Sequence, residues 1–137
     1  RGTVICSVSA MMKKTIFDEL KGYNEALFFE DLDYWFRCAR RYHIEFIDAF
    51  LFEKRVLSNS LGSQFHKSSK YNEKLNHSLE IIFKDALTRN RSKKEHKALL
   101  TRIHQELILA VKRRITKNII RYTKLKILTH LYIYNFK

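Results

Sequence analysis

The chain has 137 residues, with 27 Lys and Arg against 14 Asp and Glu, which gives a formal net charge of +13. An apolar share of 45% and an aromatic share of 13% exclude a chain that is disordered throughout, and the length favours one full domain over two. Two cysteines exclude a disulfide framework and indicate a reducing compartment.

The basic excess lies entirely in the second part of the sequence. Residues 1–65 hold nine basic and nine acidic residues, whereas residues 66–137 hold 18 basic and five acidic ones. Between them, Ser58–Ser69 is rich in Ser, Asn and Gly, which predicts a loop. We therefore expect two regions of different character, 1–65 and 66–137.

The first elements predicted are a strand and a short helix. Small and apolar residues over Thr3–Met12 are typical of a buried strand. A helix of about two turns should follow, because Thr15 offers an N-cap hydroxyl and Gly22 is a C′ residue that can take positive φ. This pairing of elements indicates an α/β arrangement in the first region.

A second helix is predicted to begin near Glu30. Acidic residues crowd its first turn, while Arg40 and Arg41 lie in its last, as the helix dipole favours. After it, the partial alternation over Ile44–Phe52 predicts another strand. The apolar positions of the helix have the spacing of one buried face. They are Leu32, Trp35, Phe36 and Ala39.

The second region is predicted to be helical only. One amphipathic helix is expected over Ser69–Leu87, followed by a polar, basic break over Thr88–Lys94. From Glu95 on, apolar residues keep a spacing of three to four to near the end. The charge-free stretch Ile127–Phe136 is far shorter than the roughly 20 apolar residues that a transmembrane helix needs.

The most informative segment is the acidic start of the second predicted helix, Glu30-Asp31-Leu32-Asp33. Its three carboxylates repel one another, and the free N–H groups and dipole of a helix N-terminus lower that cost. Taken alone, such a cluster is most often only a helix cap. Its surroundings give it a second interpretation.

The order of motifs around this cluster resembles the C-terminal part of the catalytic domain of family 2 glycosyltransferases. The resemblance covers about residues 1–65. It implies an α/β fold, in which the C-terminal portion of a GT-A (Rossmann-like) domain is followed by a mainly α-helical extension. The matching positions are Gly22-Tyr23-Asn24-Glu25, Glu30-Asp31 and Asp33-Tyr34-Trp35-Phe36-Arg37.

What the resemblance implies is transfer of a sugar from a nucleotide-sugar donor to a saccharide or lipid-linked acceptor, as in cell-envelope polysaccharide synthesis. Asp31 would be the general base that deprotonates the acceptor hydroxyl, and a positioned carboxylate can perform that step. Glu30 would orient Asp31 or bind acceptor hydroxyls, and Arg55 would contact phosphate. Leu57 stands where family members often have a metal-binding His, so we expect no metal ligand there.

The N-terminal half of that family, with its nucleotide-binding units and an Asp-x-Asp motif for Mg²⁺ or Mn²⁺, has no counterpart in this sequence. The chain opens at Arg1 with no initiator Met. We therefore expect a fragment of a longer, cytoplasmic enzyme that is inactive alone. Its divalent metal would be held mostly by residues outside this chain.

The basic tail leaves two interpretations open with even weight. Basic residues such as Lys112 and Lys124 flank apolar ones such as Val111 and Leu128. A basic amphipathic helix suits an anionic membrane surface, which would hold the enzyme peripherally on the cytoplasmic face of the membrane. The tail would equally suit a helical lid packed on the catalytic region, with its basic face in solvent.

The rival function is a basic helical module that binds nucleic acid or another partner and has no catalytic role. The charge of +13 favours it. Two features count against nucleic acid as the partner: no recognised binding motif is present, and the acidic cluster would repel phosphate. A purely structural module would leave the ordered motifs around Glu30 and Asp31 without explanation.

Overall fold

The computed structural model describes Ile5, 7–53, Arg55 and 69–136, and the regular structure within these residues is helical. The chain divides into two compact units, Arg1–Leu75 and Asn76–Lys137. The predicted domain boundary after residue 65 lies outside the described residues. A 3₁₀ turn spans Ser7–Ser9, and the α-helices are α1 (Lys14–Glu19), α2 (Glu30–Cys38), α3 (Ser69–Arg89), α4 (Lys93–Lys112) and α5 (Thr116–Asn135).

The predicted α/β fold, with the C-terminal portion of a GT-A (Rossmann-like) domain, is wrong for this structure. Helices make up 67% of it, and no strand occurs among the residues that it describes. The 3₁₀ turn lies within the predicted strand Thr3–Met12, and Ile44–Phe52 is irregular. The physical reason is that a strand needs a neighbour for its N–H and C=O groups, which an apolar pattern alone does not supply.

The core of the first unit is built from aromatic rings. Tyr34 is fully buried, and its ring lies 5.5 Å from that of Phe17, 5.3 Å from that of Tyr23 and 5.1 Å from that of Trp35. Phe17 and Tyr23 also meet edge to face at 5.2 Å. Because each such pair stabilises by about 0.5–1.5 kcal/mol beyond burial, these rings fix α2 against the segment that precedes it.

The buried face of α2 differs from the predicted one. Tyr34 and Cys38 are buried, whereas Phe36 is only half-buried and Ala39 is exposed. The predicted face did not include Tyr34, although the ring of a tyrosine contributes to a core as that of phenylalanine does. Leu32 and Trp35 are buried, as the spacing predicted.

The segment after α1 ends that helix with a Schellman motif. The Gly22 N–H donates to the Phe17 carbonyl at 2.8 Å, and the Lys21 N–H donates to the Asp18 carbonyl at 3.0 Å. Lys21 is therefore the C′ residue, with φ of 60°, and Gly22 follows it with φ of 61°. A Cβ at Gly22 would lie 3.0 Å from Cε1 of Phe17, so only glycine fits without displacing that ring.

The second unit contains its own core, made by one face each of α3, α4 and α5. The loop before α4 carries a capping motif, in which the Glu95 N–H donates to the Ser92 hydroxyl and the Arg91 N–H donates to the Glu95 carboxylate. The largest fully buried side chains of this unit are Leu79 and Phe83 of α3, His96 and Ile103 of α4, and Tyr122 and Thr129 of α5.

The hairpin of α4 and α5 is closed at both ends. At one end Arg114 takes φ of 55° in a Schellman motif, in which the Ile115 N–H donates to the Ala110 carbonyl at 3.0 Å. At the other end the His96 ring of α4 packs against the rings of Tyr132, at 5.7 Å, and Phe136, at 5.3 Å. Contacts therefore join the two helices at both ends of the hairpin.

Two polar contacts join α3 to α5. The buried Tyr122 hydroxyl donates to Oδ1 of Asn76, and Nε of Arg121 donates to Oε2 of Glu80 at 2.8 Å. Burial alone would raise the pKa of Glu80, but the hydrogen bonds from Lys84 and Arg121 lower it below its ordinary value. The carboxylate is thus held in its ionised form between two cations.

The Tyr122 contact leads to a prediction about alkaline pH. Burial, and to a lesser extent the charge of Glu106, raise the pKa of Tyr122 well above its ordinary value of 10.0. Above about pH 10 the unfolded chain releases this proton while the folded chain keeps it, so the free energy of unfolding should fall as pH rises further. Below pH 10 this contribution should be constant. Thermal unfolding followed by circular dichroism between pH 7 and pH 11 measures it.

The variant Tyr122→Phe isolates this contribution. Its free energy of unfolding should be lower by about 1 kcal/mol at neutral pH, because the hydrogen bond from Tyr122 to Asn76 is lost. It should decline less steeply above pH 10 than that of the natural protein. Tyr134→Phe is the matched control, because Tyr134 is exposed on the same helix and should leave both properties unchanged. An identical alkaline decline in the natural protein and Tyr122→Phe would contradict the assignment.

Candidate functional site

The acidic residues Glu30 and Asp31 open α2, and both side chains are half-buried. The N-cap residue is Phe29, which has no side-chain acceptor for the first N–H groups of the helix. Oδ1 of Asp31 instead accepts a hydrogen bond from the Leu32 N–H at 2.7 Å. Asp31 therefore combines a fixed position at the positive end of a helix with partial access to solvent, which a base for an external hydroxyl requires.

The turn that contains Gly22 and Tyr23 lies beside the acidic pair. Burial raises the pKa of the Tyr23 phenol above its ordinary value, and the charges of Asp31 and then Glu30 raise it further. The Tyr23 ring also lies 5.3 Å from that of Tyr34, on the helix that the two carboxylates open. The structure thus brings together two motifs that the sequence separates by several residues.

Arg37 makes the connection between these motifs rigid. Its Nε donates to Oδ2 of Asp33 at 2.8 Å, one turn earlier on α2. Its two terminal nitrogens donate to backbone carbonyls after α1, with Nη2 at 2.8 Å from the Gly22 oxygen and Nη1 bonded to Leu20. We call this set the Arg37 hydrogen bonds. They use the planar geometry of a guanidinium, which a lysine does not reproduce.

The other predicted site residues are less constrained. Arg55 is exposed, and within the described part of the chain no hydrogen bond or ion pair joins it to Glu30 or Asp31. In the Gly22–Glu25 motif, Oδ1 of Asn24 accepts a hydrogen bond from the Ala26 N–H at 3.2 Å, and Glu25 is exposed. Leu57, the residue at the place of the metal-binding His, lies outside the described residues.

Two buried polar atoms beside the site were not foreseen from the sequence. The Tyr34 hydroxyl and Nε1 of Trp35 are buried and have no hydrogen-bond partner in the part of the chain that the structure describes. Leaving such a group unsatisfied costs about 1–3 kcal/mol. Both residues belong to the segment Asp33–Arg37 that carries the resemblance, but no sequence signal distinguishes a paired from an unpaired hydroxyl.

The acidic first turn of α2 can also be compared with the ligand sets that hold metal ions. No group of three or more His, Cys, Asp or Glu side chains that could hold a metal ion occurs among the described residues. Asp33 is neutralised by Arg37, with Nη2 at 2.8 Å from its carboxylate, which leaves only Glu30 and Asp31. The divalent metal therefore stays a prediction that concerns residues outside this chain.

Known proteins give no further guide. No family model, curated protein or solved structure matches this chain. The similarity to family 2 glycosyltransferases therefore rests on the motif residues alone and stays a prediction. Among the described helices, none is long and apolar enough to cross a bilayer.

Proposed function

We propose that this chain carries the acceptor-activating carboxylate of a nucleotide-sugar-dependent glycosyltransferase of the family 2 type, with Asp31 as general base. The observation that supports it is the geometry of the motifs. The Arg37 hydrogen bonds join the turn that contains Gly22 to α2. Glu30 and Asp31 open that same helix and are half-buried. A simple helix cap needs no such connection to the preceding turn.

In the proposed reaction Asp31 accepts the proton of an acceptor hydroxyl as its oxygen attacks the anomeric carbon of the donor sugar. A new carbon–oxygen bond forms, the bond from the anomeric carbon to the diphosphate breaks, and the nucleoside diphosphate leaves with the electron pair. A helix N-terminus favours the ionised carboxylate, which is the form a base needs. Asp33 takes no part, because it is paired with Arg37.

Neighbouring groups have supporting roles in this proposal. Glu30 binds acceptor hydroxyls or orients Asp31, and the Tyr23 phenol, whose pKa is raised by burial and then by the charges of both carboxylates, remains a hydroxyl donor. Arg55, exposed and cationic, contacts the donor diphosphate. A divalent metal, Mg²⁺ or Mn²⁺, supplies further charge neutralisation on the diphosphate when bound by residues outside this chain.

The proposed acceptor is a saccharide or a lipid-linked saccharide of a cell envelope, and the proposed location is the cytoplasmic face of the membrane, where the enzyme is bound peripherally. The buried free thiol of Cys38 is compatible with a reducing compartment. If the acceptor is lipid-linked, binding of the basic helices to the anionic membrane surface would bring the enzyme close to it.

The test is a transfer assay with the full-length protein. It is incubated with a panel of nucleotide-sugars, a divalent metal and either soluble oligosaccharides or a membrane extract as acceptor. We expect release of nucleoside diphosphate with one donor, dependent on the acceptor, and a product heavier by one sugar. Absence of release with every donor and acceptor fraction would overturn the proposed function.

A further inference from the structure

The helix α5 has an apolar surface on the side opposite its core contacts. Its core-facing residues are Asn118, Tyr122, Leu125 and Thr129, all buried. At about 100° per residue, the four most exposed apolar residues fall within about 60° of one another on the opposite side of the helix, whereas the less exposed Leu128 and Tyr132 lie outside this sector. We call these four residues the apolar stripe: Ile120, Ile127, Leu131 and Tyr134, with exposed fractions of 51%, 57%, 52% and 87%.

This arrangement is more than the usual scatter of exposed apolar side chains. The stripe residues lie seven, four and three positions apart, which is the spacing of one helical face. A depression of about 340 Å³ at the end of α5 extends the apolar surface beside Leu131. It is lined by Leu128, Leu131, Tyr132, Asn135 and Phe136.

The charge around the stripe has one sign. The chain has no Asp or Glu after Glu106, so every charged residue of α5 is basic. Lys117 and Lys124 are exposed and lie along one edge of the stripe. Lys112 is exposed at the end of α4, and Arg114 is exposed in the turn before α5. Arg121 is different, because it turns inward to Glu80 and only 8% of its side chain is exposed.

We infer that the apolar stripe docks on an anionic lipid surface, with α5 lying in the plane of the interface. An apolar helix face with basic residues along its edge matches the boundary between acyl chains and negative headgroups. The biological role of this docking, which is to keep the enzyme near a lipid-linked acceptor, rests on the proposed function. The structural observations that support the docking come from the second unit alone.

Charge and chemistry select this partner over two others. A second copy of the same face would bring Lys124 and its neighbours against themselves, and like charges in contact are unfavourable. Nucleic acid would satisfy the basic residues but would leave the four apolar side chains of the stripe without a role. An anionic bilayer satisfies both features at once.

The experiment is sedimentation of the full chain with vesicles, in the absence of donor sugar. We expect binding to vesicles of phosphatidylcholine with 30 mol% phosphatidylglycerol, on the order of tenfold weaker binding to pure phosphatidylcholine, and release by 0.5 M salt, because surface charge is screened. Equal binding to both vesicle types, or none to either, would overturn the inference.

Matched variants locate the surface. The double variant Ile127→Ser and Leu131→Ser should reduce binding to anionic vesicles by on the order of tenfold or more. The control pair Ile108→Ser and Val111→Ser removes exposed apolar side chains of α4 and should leave binding unchanged. Equal losses of vesicle binding in the two double variants would contradict docking through the stripe. So would the finding that the natural protein is a dimer and that the stripe variant, but not the control pair, is a monomer.

A charge pair and an activity control complete the test. Lys124→Glu at the edge of the stripe should weaken binding to anionic vesicles more than Lys97→Glu on α4. Transfer to a soluble acceptor by the stripe variant should equal that of the natural protein. If the stripe variant loses vesicle binding but retains sugar transfer, the inference is supported. If the natural protein binds vesicles but shows no sugar transfer, only the proposed function is refuted.

Discussion

Asp31→Asn is expected to lower the rate of sugar transfer by roughly 10²–10⁴-fold, with the affinity for the nucleotide-sugar nearly unchanged. The amide keeps the size of the carboxylate and can still accept the Leu32 N–H hydrogen bond, but it cannot take the acceptor proton. The loss should therefore lie in turnover at saturating donor and acceptor. Initial rates of nucleoside diphosphate release and calorimetric titration with the donor measure the two quantities separately.

A carboxylate outside the proposed site gives the matched control. Asp18 is exposed on α1, where Oδ2 lies 2.6 Å from Nζ of Lys14, and Asp18→Asn makes the same isosteric change. Its turnover should match that of the natural protein. If Asp31→Asn also turns over at the natural rate, Asp31 is not the base, even if the protein proves to transfer sugar.

Arg37→Met is expected to cost about 2–4 kcal/mol in the free energy of unfolding of the first unit. The variant keeps most of the side-chain volume but leaves the Asp33 carboxylate, which is only 13% exposed, without its cation. It also leaves the Leu20 and Gly22 carbonyls without their donor. Urea unfolding followed by the fluorescence of Trp35, which reports on this unit, measures the change.

The control and the coupling test use neighbouring residues. Arg41→Met removes a 60% exposed guanidinium that lies 4.0 Å from Glu19, and it should change stability by less than about 1 kcal/mol. The double variant Asp33→Asn with Arg37→Met should be less destabilised than the sum of the two single variants, because one interaction is lost twice in that sum. Strict additivity would show that the ion pair contributes nothing.

Local signals were sufficient to predict where α2 begins. Acidic residues in a first turn respond to the N–H groups of the same turn, so Glu30 was recognisable without knowledge of the rest of the chain. The predicted strand Ile44–Phe52 depends instead on a partner strand, and its apolar side chains, such as Phe46 and Phe50, are exposed in the structure. An alternating apolar pattern indicates which side chains of a strand would share a face, but it does not identify the neighbouring strand with which its backbone would form hydrogen bonds.

The candidate site shows the same limit at the level of single contacts. The sequence singled out Asp31 and the Gly22–Tyr23 turn, but it did not identify the ion pair between Asp33 and Arg37. It did not show that Arg37 also bonds the carbonyls of Leu20 and Gly22. Every residue except proline has the same backbone donor and acceptor, so the identity of a residue does not indicate whether a side chain bonds to its carbonyl.

The ring contacts of His96 bear on how α5 behaves at its end. Terminal helical turns usually fray, because their last carbonyls lack partners and few contacts cover them. Here Tyr132 and Phe136 pack on a His96 ring that is only 1% exposed, so the last turn opens only if a core contact of α4 is also broken. Local opening of that turn is thereby coupled to the α4–α5 hairpin, and slow amide exchange should extend into it, which keeps Tyr134 in register with the rest of the stripe.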